Sequence, residues 1–321
     1  MRARTLRTMV ERRTRMFLDR LATEDGKPLE QLSPLEVRQM FVDIQSGAPV
    51  DRTMTEVVNR TINVGQGIVK LTVVRPAGAV GFLPAFMFFH GGGWMFGDFP
   101  THERMVRDLV AESATAAVYV DYDRSPEARY PVAIHQAYSA TRWVAEHGRE
   151  IGLDGRRLGV VGNSAGGNLA AVVSLMAKDR GAPIIALQVL FCPITNAAFD
   201  TASYKEFADG YFLTRNMMQR FWASYATDPR ERLQVYASPL QARTERLKDI
   251  PPTLVLTAEV DVLRDEGESY ARALDCAGVD VTAIRFNGMI HDFALLNALK
   301  DVPSARSALL HAATQLKRRL H

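Results

Sequence analysis

From about Val57 onward, short apolar runs alternate with longer amphipathic stretches. Thr61 to Val64 and Ile68 to Val74 flank Gly65-Gln66-Gly67, a pattern that predicts an antiparallel hairpin. Ala85 to Phe89 then reads as a buried strand, followed by a loop and a helix near 102–113. Ala117 to Val120 is the next strand, with a helix around 131–147 opened by Pro131. Leu158 to Val161, Ile185 to Phe191, Thr253 to Thr257 and Val281 to Phe286 complete a set of eight, separated by helical stretches. Most of these runs are apolar throughout rather than alternating. That pattern predicts an α/β chain with a mostly parallel eight-stranded sheet covered by helices on both faces.

Two regions stand outside this rhythm. Residues 2–21 carry seven arginines, with Leu6, Met9, Val10, Met16, Phe17 and Leu21 on roughly one helical face. Glu11 and Asp19 interrupt the positive charge, so a docking helix with a solvated basic face is preferred to a membrane-surface helix or transit peptide. Ser33-Pro34-Leu35-Glu36 predicts a capped start for a second helix. Residues 198–228 hold Tyr211-Phe212-Leu213 and a helix rich in Met and aromatic residues, from Met217 to Tyr225. This insertion reads either as a core helix or as a lid packed with the N-terminal helices.

Composition narrows the classes. The 321 residues are 47% hydrophobic with a net charge of +3 and no long basic stripe, which argues against nucleic-acid binding. No apolar run reaches bilayer-spanning length, and the N-terminus lacks a secretory h-region. The two cysteines, Cys192 and Cys276, are expected to be buried free thiols in a reducing cytoplasm. No Cys/His spacing suggests a locally assembled metal centre.

The chemistry begins at Gly162-Asn163-Ser164-Ala165-Gly166, where an apolar strand meets a small-residue helix. A sharp reversal there lifts Ser164 above the sheet, and the flanking glycines avoid a Cβ clash. Serine needs a base, and the base needs an orienting carboxylate. Among seven histidines, His291 follows the last predicted strand, at the sheet edge that carries Ser164. Asp261 or Glu259, after the strand at 253–257, supplies the acid; Asp261 is chosen over Asp265 because it lies nearer the strand end. The order Ser164, Asp261, His291 is that expected of α/β-hydrolases. His90-Gly91-Gly92-Gly93-Trp94 leaves a strand into bare backbone suited to an oxyanion, and the lysine and Ser/Thr of a phosphate loop are missing. The expected donors are the Gly91, Gly92 and Ala165 amides, with Trp94, Phe212 and Leu213 lining the substrate pocket.

Together these segments, with Tyr122 to Pro131 and Asp261 to Gly267, resemble the hormone-sensitive lipase family of bacterial esterases over roughly residues 55–300. The resemblance implies an α/β-hydrolase core at 53–197 and 229–321, and a cap built from 1–52 and 198–228. It also implies short- to medium-chain carboxylic ester substrates, no cofactor, and homodimers through the last strand. The chain departs from the family pattern at Asn163, usually aspartate, at Val262, often proline, and at Asp292, often glycine. An amidase or peptidase using the same triad, and a non-catalytic binding protein on this fold, are the rival readings.

Overall fold

Every apolar run singled out above becomes a strand of one sheet. The computed structural model describes residues 9–23, 29–65 and 67–321. The strands are β1 (Thr55–Asn63), β2 (Ile68–Pro76), β3 (Leu83–Phe89), β4 (Ala116–Asp121), β5 (Leu153–Asn163), β6 (Leu187–Phe191), β7 (Thr253–Val260) and β8 (Val281–Ile290). Their spatial order is β1-β2-β4-β3-β5-β6-β7-β8. β2 runs antiparallel to both β1 and β4, and all other neighbours are parallel. The hairpin is longer than its apolar pattern suggests. β1 starts at Thr55, but it is an edge strand whose side chains are mostly exposed, so hydrophobicity marks only its inner residues. Position 66, the centre of the expected turn, lies outside the described residues.

The principal helices are α1 (Arg12–Thr23), α2 (Pro34–Gln45), α3 (Phe99–Ser113), α4 (Val132–His147), α5 (Ala165–Arg180), α6 (Arg215–Tyr225), α7 (Arg264–Cys276) and α8 (Pro303–Leu320). α3 begins earlier than its apolar pattern because Asp98 caps it, accepting from the Thr101 N–H. α5 is buried from Ala165 to Ala177, which explains its run of Gly and Ala: a central helix packed on the sheet has no solvent face to fill with charge.

The N-terminal segment docks as a helix with a wet basic side. Arg12, Arg13 and Arg20 are exposed while Thr14 and Phe17 are buried; Met16, placed on the apolar face by pattern, is exposed. The part of that reading before residue 9 lies outside the described residues. The expected capped start of α2 is a capping box formed by Ser33 and Glu36. Gln45, the last residue of α2, is buried and donates to the carbonyls of Thr101 and Leu295 while accepting from the Asn297 N–H. α6 is tied to the N-terminal segment by Arg220, whose guanidinium meets the carbonyls of Leu29 and Leu32. Cys192 and Cys276 are unbridged; Cys192 is buried, but Cys276 is exposed, because it ends α7 on the solvent side.

Candidate active site

Parallel strands present all their carboxyl ends at one edge, and the candidate residues stand there in immediate succession. Ser164 directly follows β5, Asp261 follows β7, His291 follows β8, and His90 follows β3. The strand order brings together three side chains that are far apart in sequence.

Ser164 occupies a strained backbone conformation, φ 54° and ψ −119°. The flanking glycines make it possible. A Cβ on Gly162 would lie 2.0 Å from the Gly166 carbonyl oxygen, and one on Gly166 would lie 1.9 Å from that of Phe89. The corner is then locked by backbone hydrogen bonds: Ser164 N–H donates to Phe191 O at 2.8 Å, and its carbonyl accepts from Asn168 and Ile194 at 3.0 and 3.2 Å.

His291 Nε2 is 2.9 Å from Ser164 Oγ, and its Nδ1 is 2.8 Å from Asp261 Oδ2. The other Asp261 oxygen accepts the Leu263 N–H at 3.0 Å, which fixes the carboxylate plane. Ser164, Asp261 and His291 are all nearly inaccessible to solvent. Burial alone would disfavour a charged imidazole, but the Asp261 carboxylate and then that of Asp292 outweigh it, so the His291 pKa is raised. The other acids near β7 are engaged elsewhere. Glu259 accepts from Gly288 N–H at 2.7 Å, and Asp265 accepts from Ser203 N–H at 2.7 Å and pairs with Arg264.

The glycine loop after β3 is shaped by a buried aromatic stack. His90 lies 4.1 Å from Tyr122 and nearly parallel to it, and the Tyr122 hydroxyl donates to His90 O at 2.8 Å. Burial, with a smaller contribution from His102, pushes the His90 pKa well below the usual histidine range, so the ring is a neutral scaffold. His102 is likewise pushed down to about 4 by burial, against the opposing pull of Asp292.

Gly91, expected as a donor to substrate, instead donates its N–H to Asn163 Oδ1 at 3.0 Å. Among the described residues, no protein acceptor takes the amides of Gly92, Gly93 or Ala165. Gly92 and Gly93 have φ of +105° and +56°, and a Cβ on either would strike Phe96 O or the Phe221 ring at 2.3 Å. Trp94 is fully buried, stacked 4.1 Å from Tyr225 and set edge-on to Trp222. Leu213 is buried, whereas Phe212 is half-buried at φ +73°. Phe212 lines an apolar cleft of about 700 Å³ between the N-terminal helices and α6, with Leu18, Leu32, Met40 and Met217.

Cys192 is a residue that pattern reading passes over as plain core. Its thiol, with Asp261 and His291, places three ligating atoms within 4.8 Å of one another. This is the group able to take a metal among the described residues, but a metal there would compete with the Asp261–His291 hydrogen bond. Burial pushes the thiol up to about 11, so it is protonated at neutral pH.

A family model described as the α/β-hydrolase fold matches residues 86–295. The chain belongs to the α/β-hydrolase family. Within it the chain lies in the branch resembling hormone-sensitive lipase. Among solved α/β-hydrolases, it is similar to a thermostable esterase from Pseudomonas putida ECU1011. The two are 58% identical with a TM-score of 0.96, over 97% of this chain and 98% of that one. A Rhizomucor miehei esterase is 38% identical with a TM-score of 0.89, over 97% and 96% of the two chains. Carboxylesterase NlhH of Mycobacterium tuberculosis is 36% identical over 241 residues, 74% of this chain and 75% of that protein.

Proposed function

We propose that this protein hydrolyses carboxylic esters by acyl transfer through Ser164. The observation that carries the reading is one imidazole spanning nucleophile and acid, 2.9 Å to Ser164 Oγ and 2.8 Å to Asp261 Oδ2. His291 takes the serine proton as Oγ attacks the ester carbonyl, and Asp261 holds the tautomer and stabilises the imidazolium. The oxyanion is received by the amides of Gly92, Gly93 and Ala165, because Gly91 is engaged by Asn163. Ala165 opens α5, so the helix N-terminus adds its positive end to that pocket. His291 then returns its proton to the leaving alcohol, and water attacks the acyl-enzyme by the same route.

In this reading segments 1–52 and 198–228 are the cap, and their described parts are joined by Arg220 and by the Phe17–Phe212 contact at 6.0 Å. Short- to medium-chain esters are the substrates implied by the resemblance; the cleft of about 700 Å³ beside the cap is lined by Phe212 and Met217 but by no residue of the triad. β8 is an edge strand with exposed residues along its first half, which supports pairing of two copies there. The unbridged cysteines support a cytoplasmic location.

The test is turnover of p-nitrophenyl butyrate by wild type and by Ser164→Ala. A loss on the order of 10⁶ in kcat is expected; equal rates would end the serine-hydrolase reading. Matched anilide substrates separate esterase from amidase chemistry.

A further inference from the structure

Asp292 follows the base in sequence and holds a left-handed backbone conformation, φ +56°. Its side chain is almost fully buried and has two distinct neighbours. Oδ1 accepts from Asn163 Nδ2 at 2.9 Å, and Oδ2 is 3.7 Å from His291 Nε2. Asn163 is itself buried, and its other side-chain atom accepts the Gly91 N–H at 3.0 Å. Only one amide orientation fits this relay. A carboxylate only accepts and a backbone N–H only donates, so Nδ2 must face Asp292 and Oδ1 must face Gly91. The chain of contacts therefore runs from the residue after the base, through the residue before the nucleophile, to the first glycine of the loop after β3.

We propose that Asp292 is a positioning residue whose one carboxylate sets the glycine loop through Asn163 and the charge felt by His291 at Nε2. The inference rests on the reading of His291 as the base. It makes positions 163 and 292 interdependent. With aspartate at 163, two carboxylates would meet across 2.9 Å. One would have to hold a proton or swing away, and Gly91 would move with it. When the two side chains are exchanged, a carboxylate at position 163 accepts from an amide at position 292. The hydrogen bond returns, but the charge has moved from the His291 side.

Among the described residues, Ser164 Oγ and four titratable groups face this centre. Asp261, Asp292 and the Cys192 thiol surround the imidazole, and His102 and Asn163 face Asp292. Of the two carboxylates raising the His291 pKa, Asp292 is the one outside the triad. Removing its charge lowers the pH at which the base becomes neutral.

The experiment compares Asp292→Asn, Asn163→Asp and the double variant carrying both changes with wild type in the full chain. kcat/KM for p-nitrophenyl butyrate is followed across the acidic limb, and melting curves check folding. Asn163→Asp is expected to lose about tenfold or more, and the double variant to regain most of that loss. Asp292→Asn is expected to move the acidic limb down by about 1 pH unit. Wild-type rates in Asn163→Asp, a folded double variant no better than Asn163→Asp, or an unmoved limb in Asp292→Asn would each overturn the proposal. If Asn163→Asp does not fold, the limb of Asp292→Asn decides alone. Ser164→Ala separates the two readings. An active Ser164→Ala ends the hydrolase mechanism, whereas an inactive one beside an unmoved limb ends only the role of Asp292.

Discussion

The rim bearing Ser164 and the helical layer of α1, α2 and α6 are held by different balances of hydrogen bonding and apolar packing. At the rim, buried polar groups meet at hydrogen-bonding distance: Ser164 to His291, His291 to Asp261, Gly91 to Asn163, Asn163 to Asp292. Such contacts are directional, and each buried partner left alone costs about 1–3 kcal/mol. In the helical layer apolar and aromatic contacts carry more of the load, such as Trp94 on Tyr225 and Phe17 beside Phe212, with polar ties at Gln45, Arg38 and Arg220. Apolar packing rewards area rather than angle, so it tolerates exchange of one side chain for another of similar volume. The lesson is a division of labour: geometry that must not move is built from hydrogen bonds, and a wall that can change with the ligand is built from packing. The two regions meet where the glycine loop packs on α6: the Phe221 ring closes on Gly93, and Trp94 stacks on Tyr225.

The sharpest way to break the comparison is at its most directional bond. Asp261→Asn keeps the shape of the side chain but offers His291 the wrong tautomer. A loss on the order of 10⁴ in kcat is expected, with little change in KM. A modest loss, measured by steady-state kinetics on a short-chain ester, would mean that the rim tolerates misalignment as packing does.

The next probe sits on the boundary. Phe221 is buried, and its ring fills the space a Cβ on Gly93 would need. Phe221→Ala is expected to cost about 3–5 kcal/mol of stability. It is also expected to lower kcat by about 10²-fold, because a loop shift near 1 Å is enough to misplace an oxyanion donor. Thermal melts and kcat on the same preparation check both. A stability loss with kcat intact would place α6 outside the catalytic geometry.

How much of this was legible in the sequence divides along the same line. The Ser164 corner could be read because backbone crowding is local: glycines two residues either side are what the turn requires. Asp261 and His291 could be placed because parallel strands put their carboxyl ends on one edge, so chain order implies position. Which glycine amide is free could not be read. That is decided by Asn163, 72 residues from Gly91, and side-chain pairing at such range leaves no periodic trace. Asn163 and Asp292 each stand out as departures from the family pattern, but only the fold shows that they touch. Trp94 defeats pattern reading for a related reason. Expected as pocket lining, it is fully buried at φ +58°, with its ring packed against Tyr225 and Trp222.

The smallest effect should come from the apolar wall itself. Phe212 is half-buried and lines the cleft beside Leu18 and Met217, with no hydrogen bond to the rim. In Phe212→Ala the lost ring withdraws contact area from a bound acyl or alcohol chain without disturbing a donor or acceptor. About 1 kcal/mol is expected, roughly fivefold in KM, and only for esters long enough to reach the wall. A chain-length series from acetate upward separates this from a catalytic effect, because the acetate ester should be untouched while the longer ones weaken. If kcat for acetate falls as well, the wall and the rim are mechanically coupled through more than the contacts of the glycine loop with α6. The division between directional and apolar construction would then not hold at the active site.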